Sequence, residues 1–197
     1  MTKKTVGPWI VHNTRTNHEN PWLRLETSDV THPDGSPGIY GVVRIANLAT
    51  GILPIDSEGY TWLVGQHRFP FDAYSWELPE GGGKMGVDPQ VSAARELKEE
   101  TGLDAVNYLL LGEWQLSNSV TDEVAYGYLA WDLTPGPAAP EPSEALSVER
   151  VPFSNVVERL RAGDITDAFT HLMVFAAIDK ARQGHLPKDI SAHLLSA

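Results

Sequence analysis

Arg95, Glu96, Glu99 and Glu100 crowd one short stretch of the chain. On a helix, Glu96 and Glu100 lie one turn apart on the same face, with Glu99 beside them. Arg95 sits four residues before Glu99 and can pair with that carboxylate and orient it. Like charges at this spacing repel by a few tenths of a kcal/mol per pair, roughly, so a sequence that gathers them usually offsets the repulsion with a cation. All the donors are oxygens and the chain has no cysteine, which points to a hard ion, Mg²⁺ with Mn²⁺ as the alternative. Taken alone, the trio also fits a solvated acidic helix face.

The elements around the trio can be read from local signals. Asp88-Pro89 opens a helix as N-cap and first helical residue, and Gly102 closes it, so a helix is predicted over Pro89 to Thr101, with Val91, Ala94, Leu97 and Lys98 at helical spacing. Before it, Gly81-Gly82-Gly83 reads as a turn whose backbone can approach a phosphate or a metal. The first third reads as strands at 9–12, 23–27, 40–45, 61–66 and 75–78, with a Pro/Gly turn cluster over 32–38. Strands return at 108–111, 124–131 and 147–151, separated by a proline-rich loop over 134–142. The end is helical: Ser154 is a candidate cap for a helix that stops at Gly163, and a longer helix carries Phe169, Leu172, Met173 and Ala176 before Gly184.

The string from Gly81 to Leu103 resembles the signature box of the Nudix hydrolases. Gly81, Arg95, Glu96, Leu97, Glu99, Glu100, Gly102 and Leu103 match its fixed positions, while Val87 stands where the box has its first glutamate. The resemblance implies an α+β fold: a Nudix-type α/β/α sandwich with a mixed sheet and an N-terminal antiparallel β extension. It implies an extension over residues 1–40 and a Nudix domain over 41–197. Glu96 and Glu100 would ligate the metal directly, Glu99 would be a ligand or a neighbour of one, and the Glu80 carbonyl would complete the site. Arg95 would orient them. The general base would come from a downstream loop, with Glu144 the first candidate and Glu141 the second.

Flanking residues narrow the branch. Gln66-His67-Arg68-Phe69-Pro70 followed by Trp76-Glu77-Leu78-Pro79-Glu80-Gly81 resembles the ADP-ribose and nucleotide-sugar pyrophosphatases. That likeness places Arg68 near the diphosphate, a pairing guanidinium geometry favours, and Glu77 in the pocket wall. Arg44 is a weaker candidate of the same kind. Tyr74 and Trp22 are candidates to stack on a base, and Glu123 belongs to a loop that touches ribose or metal in relatives. The long N-terminal part implies a homodimer. The expected reaction is Mg²⁺-dependent cleavage of a nucleoside diphosphate sugar of the ADP-ribose or GDP-mannose type. The alternatives are another linkage (a dinucleoside polyphosphate, NADH or a triphosphate) or a sensor that binds a nucleotide sugar without cleaving it.

Composition sets the outer bounds. The 197 residues carry 15 Lys+Arg against 26 Asp+Glu, a net charge of −11. That argues against nucleic acid as a partner, because a phosphate backbone calls for a positive field. The absence of cysteine excludes disulfide scaffolds, thiolate metal sites and thiol nucleophiles. The start has no apolar run behind its lysines and no stretch reaches membrane-spanning length, so a small-molecule enzyme of the cytoplasm is expected, without a membrane partner.

Overall fold

The computed structural model describes residues 4–138 and 145–197. In chain order the strands are β1 (Lys4–Val6), β2 (Trp9–Glu19), β3 (Leu23–Thr31), β4 (Pro37–Ile45), β5 (Asn47–Pro54), β6 (Tyr60–Arg68), β7 (Ala73–Glu77), β8 (Glu80–Lys84), β9 (Leu103–Trp114), β10 (Ala125–Pro135) and β11 (Ser147–Pro152). The helices are α1 (Pro89–Thr101), α2 (Phe153–Ala162), α3 (Ala168–Arg182) and α4 (Lys188–Leu195), with a 3₁₀ turn over Phe69–Phe71.

Three sheets result. β1 to β4 form an antiparallel meander, the expected N-terminal extension, which runs on to Ile45. The second sheet has the order β8-β5-β10-β9, with β5 parallel to β10 and the other pairs antiparallel. The third is β11-β6-β7, all antiparallel.

The mixed sheet is covered on both faces, and β5 shows how. Ile52 joins Ala93, Leu97, Tyr128 and Ala130 in a cluster under α1. Its neighbour Leu53 joins Leu129, Phe169, Met173 and Val174 in the larger core under α2, α3 and α4. Successive residues of a strand point to opposite faces, so one strand feeds two cores and gives the α/β/α sandwich. A strand buried on both faces reads as a continuous apolar run without alternation. In 47–54 Asn47, Thr50, Gly51 and Pro54 break that run, so the segment carries no strand signal of its own.

Local expectations are met at α1. Its bounds are Pro89–Thr101, the Asp88 side chain accepts from the Gln90 amide at 2.9 Å, and Gly102 caps it at φ +75°. Three readings are corrected. The glycine segment is a strand, β8, because pairing with β5 through Thr50 and Gly81 supplies the ladder that glycine's weak strand preference does not. The inward face of α1 holds Ser92, Ala93, Glu96, Leu97 and Glu100, while Val91 is exposed. And α2 starts at Phe153 after Pro152, with no side-chain cap, so Ser154 lies inside it. Among the described residues, no helix is long and apolar enough to cross a membrane.

Candidate active site

The site begins where β8 passes the inward face of α1. Glu96 and Glu100 are 8% and 4% exposed. A solvated acidic face is thereby ruled out, since carboxylates are rarely buried unless partnered. The partners are built into the neighbouring elements. Glu100 Oε2 accepts from the Glu80 amide at 3.2 Å, tying the last turn of α1 to the first residue of β8. Arg95 donates to Glu96 Oε1 at 2.6 Å, to Glu99 Oε2 at 2.5 Å and to the Gly82 carbonyl at 2.9 Å. One guanidinium thus fixes two carboxylates of α1 and the strand beside them.

Gly81 makes this approach feasible. A β-carbon there would lie 2.6 Å from Glu96 Oε2 and closer still to the other carboxyl atoms. The Gly81 carbonyl is held from the other side by the buried Thr50 hydroxyl, which donates to it at 3.2 Å. The space a side chain would fill is occupied by a carboxylate. Glu96, Glu99 and Glu100, with the backbone carbonyls of β8, could offer a hard divalent cation oxygen donors only.

A second acidic group faces the first. One carboxylate oxygen from each of Glu77, Glu80 and Asp167 lies within 4.8 Å of the others. Arg68, the last residue of β6, meets them. Its Nε donates to Glu77 Oε1 at 2.9 Å, and its Nη2 donates to Glu77 Oε2 and, at 3.0 Å, to Glu80 Oε1. The Glu77 hydrogen bonds hold Arg68 more firmly protonated than a free arginine. Glu80 Oε2 is buried and has no hydrogen-bond partner among the described residues. Burial, and then the charges of Asp167 and Glu77, push the Glu80 carboxyl well above its ordinary value despite Arg68.

These groups open on a cavity of about 770 Å³, within the range of small-molecule sites. Arg68, Tyr74, Glu77, Glu80 and Glu123, five of the residues singled out in the sequence, are in its wall together with Gly81. Burial raises the proton affinity of Glu123. Arg44 is elsewhere. It bonds Glu26 at 2.9 Å and Asp122 at 3.3 Å and lines a smaller cavity of about 300 Å³ between the N-terminal sheet and residues 118–121. Trp22 is exposed and lines neither cavity. Glu141 and Glu144 lie outside the described residues. Asp88 is committed to capping α1, and Val87 is exposed in the turn before it.

Sequence reasoning missed Asp167. Its side chain accepts from the Thr170 amide at 2.6 Å as the N-cap of α3. The signal was present: an aspartate just before an apolar helix is a cap. Thr170, buried below it, accepts from the Leu78 amide at 2.9 Å and locks α3 to the chain between Glu77 and Glu80.

Comparison with known proteins bears on the family and the fold. Residues 46–172 match the NUDIX domain, and residues 9–43 match the nucleoside diphosphate sugar hydrolase N-terminal domain. The chain is 31% identical over 172 residues to the CMP-5'-(N-acetyl-N-hydroxy-3-aminopropyl)phosphonate hydrolase of Streptomyces rubellomurinus, covering 86% of this chain and 82% of that one. It is 28% identical over 150 residues to the ADP-ribose pyrophosphatase of Bacillus subtilis, covering 75% and 80%. It is 26% identical over 194 residues to the ADP-sugar pyrophosphatase of Mus musculus, covering 90% and 87%. Among solved structures, an ADP compounds hydrolase superposes with a TM-score of 0.81 at 22% identity, covering 93% of this chain and 100% of that one, a likeness of fold.

Proposed function

The chain belongs to the Nudix family of hydrolases, and on that footing we propose that it cleaves the diphosphate of a nucleoside diphosphate sugar, of the ADP-ribose or GDP-mannose type. Water adds across one P–O–P bond, and the products are a nucleoside monophosphate and a sugar phosphate. The observation that carries the reading is that Gly81, against which the Glu96 carboxylate packs, and Arg68 line the same cavity. Relatives named for ADP-ribose and ADP-sugar hydrolysis support the substrate class.

Divalent cations, Mg²⁺ foremost and Mn²⁺ as the alternative, would be held by Glu96, Glu100 and the Glu80 carbonyl, with Glu99 a ligand or a neighbour of one. Bound there, such ions neutralise phosphoryl oxygens and lower the pKa of water. The chain's own residues do the rest. Arg95 holds Glu96 and Glu99 in place. Arg68 offers its positive charge and its Nη1 to a phosphate oxygen, while Glu77 and Glu80 hold its Nε and Nη2 and set its orientation. Glu144, or Glu141, takes the proton of the attacking water. Glu123 and Tyr74 border the nucleotide.

That sheet, residues 1–40 as the arm beside a core of 41–197, is proposed to join two chains. It carries exposed Val6, Trp22, Leu25 and Ile39, an apolar set that a second copy would cover. A solution mass of twice 21.6 kDa is the expected reading. A small-molecule substrate, no nucleic acid, no membrane and a cytoplasmic setting complete the proposal.

The test is a panel assay. Purified protein with Mg²⁺ is offered ADP-ribose, GDP-mannose, UDP-glucose, a dinucleoside polyphosphate, NADH and a triphosphate, and nucleoside monophosphate release is read. Turnover confined to the sugars is expected, and it should vanish in Glu100→Gln while the circular dichroism spectrum stays unchanged. Release of products only from the last three compounds, or from none, overturns the reading.

A further inference from the structure

The 3₁₀ turn Phe69-Pro70-Phe71 is built to hold one aromatic ring at the cavity mouth. Asp72 closes it in the left-handed region at φ +49°, a conformation that side chains seldom adopt. Its amide donates to the Phe69 carbonyl at 3.3 Å, and its carboxylate meets His67 Nε2 at 3.0 Å. Two phenylalanines are nearly bare as a result: Phe69 is 94% exposed and Phe71 83%. They differ in place. Phe71 is in the cavity wall and Phe69 is not.

Three aromatic residues are in that wall: Phe71, Tyr74 and Phe169. Tyr74 meets Trp76 edge-on, with ring centroids 5.6 Å apart. Phe169 meets Trp114 in the same manner at 5.9 Å. Phe71 makes no ring contact among the described residues, so its faces are uncommitted. It follows Arg68 by three residues, which limits their backbone separation to on the order of 10 Å. One nucleotide can therefore reach both, with phosphate at the guanidinium and base at the ring.

We propose that Phe71 is the platform on which the nucleobase of the substrate stacks, a reading that rests on the nucleoside diphosphate sugar substrate proposed above. A phosphate or a ribose has no π face to offer this ring, whereas every base has one. Stacking reads the area of the π system and not its hydrogen-bonding edge. The site therefore tolerates different bases and favours purines over pyrimidines.

The test compares wild type, Phe71→Ala, Phe71→Trp and Phe69→Ala on two compounds: ADP-ribose and the same diphosphate lacking adenine. Phe71→Ala should raise KM for ADP-ribose about tenfold, the lower part of the range for losing one stacked base. Its kcat should stay within about twofold, and its KM on the base-free compound should not move. Phe71→Trp should restore binding, and Phe69→Ala should behave as wild type. An equal shift on both compounds, no shift at all, or conversion of a dimer to a monomer by Phe71→Ala overturns the proposal. If wild type cleaves neither these compounds nor any other nucleotide sugar of the panel, the substrate reading fails separately. AMP binding by calorimetry then decides for Phe71: a roughly tenfold weaker Kd in Phe71→Ala upholds the platform, and an equal Kd overturns it.

Discussion

The carboxylate of Glu96 occupies the space that a side chain on Gly81 would need. The two residues belong to different elements, and the missing β-carbon of one lets the acid of the other close against the strand.

Exchange of Gly81 for alanine should therefore disable the site without unfolding the protein. The clash falls on the far end of a flexible side chain, so Glu96 swings aside while β8 keeps its ladder to β5. A drop in kcat of roughly 10–100-fold is expected, the range for disturbing a group that positions a metal ligand, with a nearly unchanged thermal midpoint. Gly82→Ala, whose new carbon would meet only Asn47 at 3.4 Å or beyond, should lose far less.

Removing Arg68 should destabilise the fold. Glu77's side chain is only 4% exposed and would be left buried without its cation. Breaking one partner out of a buried pair costs about 3 kcal/mol at the low end of its range, and the low end applies because Arg68 is partly open to solvent. Urea denaturation of Arg68→Ala should show this loss. Adding Glu77→Gln to the same chain should recover a good part of it, because the stranded charge is gone.

Glu80 gives stability a pH dependence with a definite sign. Burial and the nearby acids push its carboxyl well above 4.5 in the folded chain. The folded state then holds a proton that the unfolded state releases, so stability declines as pH rises above about 4.5 and is unaffected below that value. In metal-free protein, with EDTA present, Glu80→Gln should be more stable than wild type at neutral pH. The two melting curves should converge as pH falls toward 4.5. A gap that stays constant across the titration would contradict the assignment.

Asp167 serves both α3 and the acidic group, and two substitutions separate these roles. Asp167→Ala removes the cap on the Thr170 amide and should cost about 1 kcal/mol. Asp167→Asn keeps a capping oxygen and removes only charge, so it should leave stability equal or higher at neutral pH. It should also lower the proton affinity of Glu80, read as a shallower pH dependence of melting.

What could be read in the sequence tracks how local the cause is. The ends of α1 were legible because Asp88, Pro89 and Gly102 act within a turn of the helix. The pairing of Arg95 with Glu99 was legible for the same reason. β5 and β8 were not, since a run containing Gly51 and Pro54 and a run of glycines become strands only through pairing, β8 with β5 and β5 with β10. α4 also went unread. Its Pro187 start has no side-chain cap, and its place is set by Ile190 and Leu194 entering the core. Asp167 and Arg68 are far apart in sequence, and their meeting across Glu77 and Glu80 is a product of the fold.

The parallel pairing of β5 with β10 sets an order of events in folding. A parallel pair needs a long crossover, and contacts between distant segments are made slowly. As the chain leaves the ribosome, α1 and its three glutamates emerge well before β10 can dock beside β5, and before α3 can bring Asp167 to the wall. A half-made chain thus carries its acidic helix with no finished chamber to hold a diphosphate. The grip on substrate should arise only in the last stage of assembly.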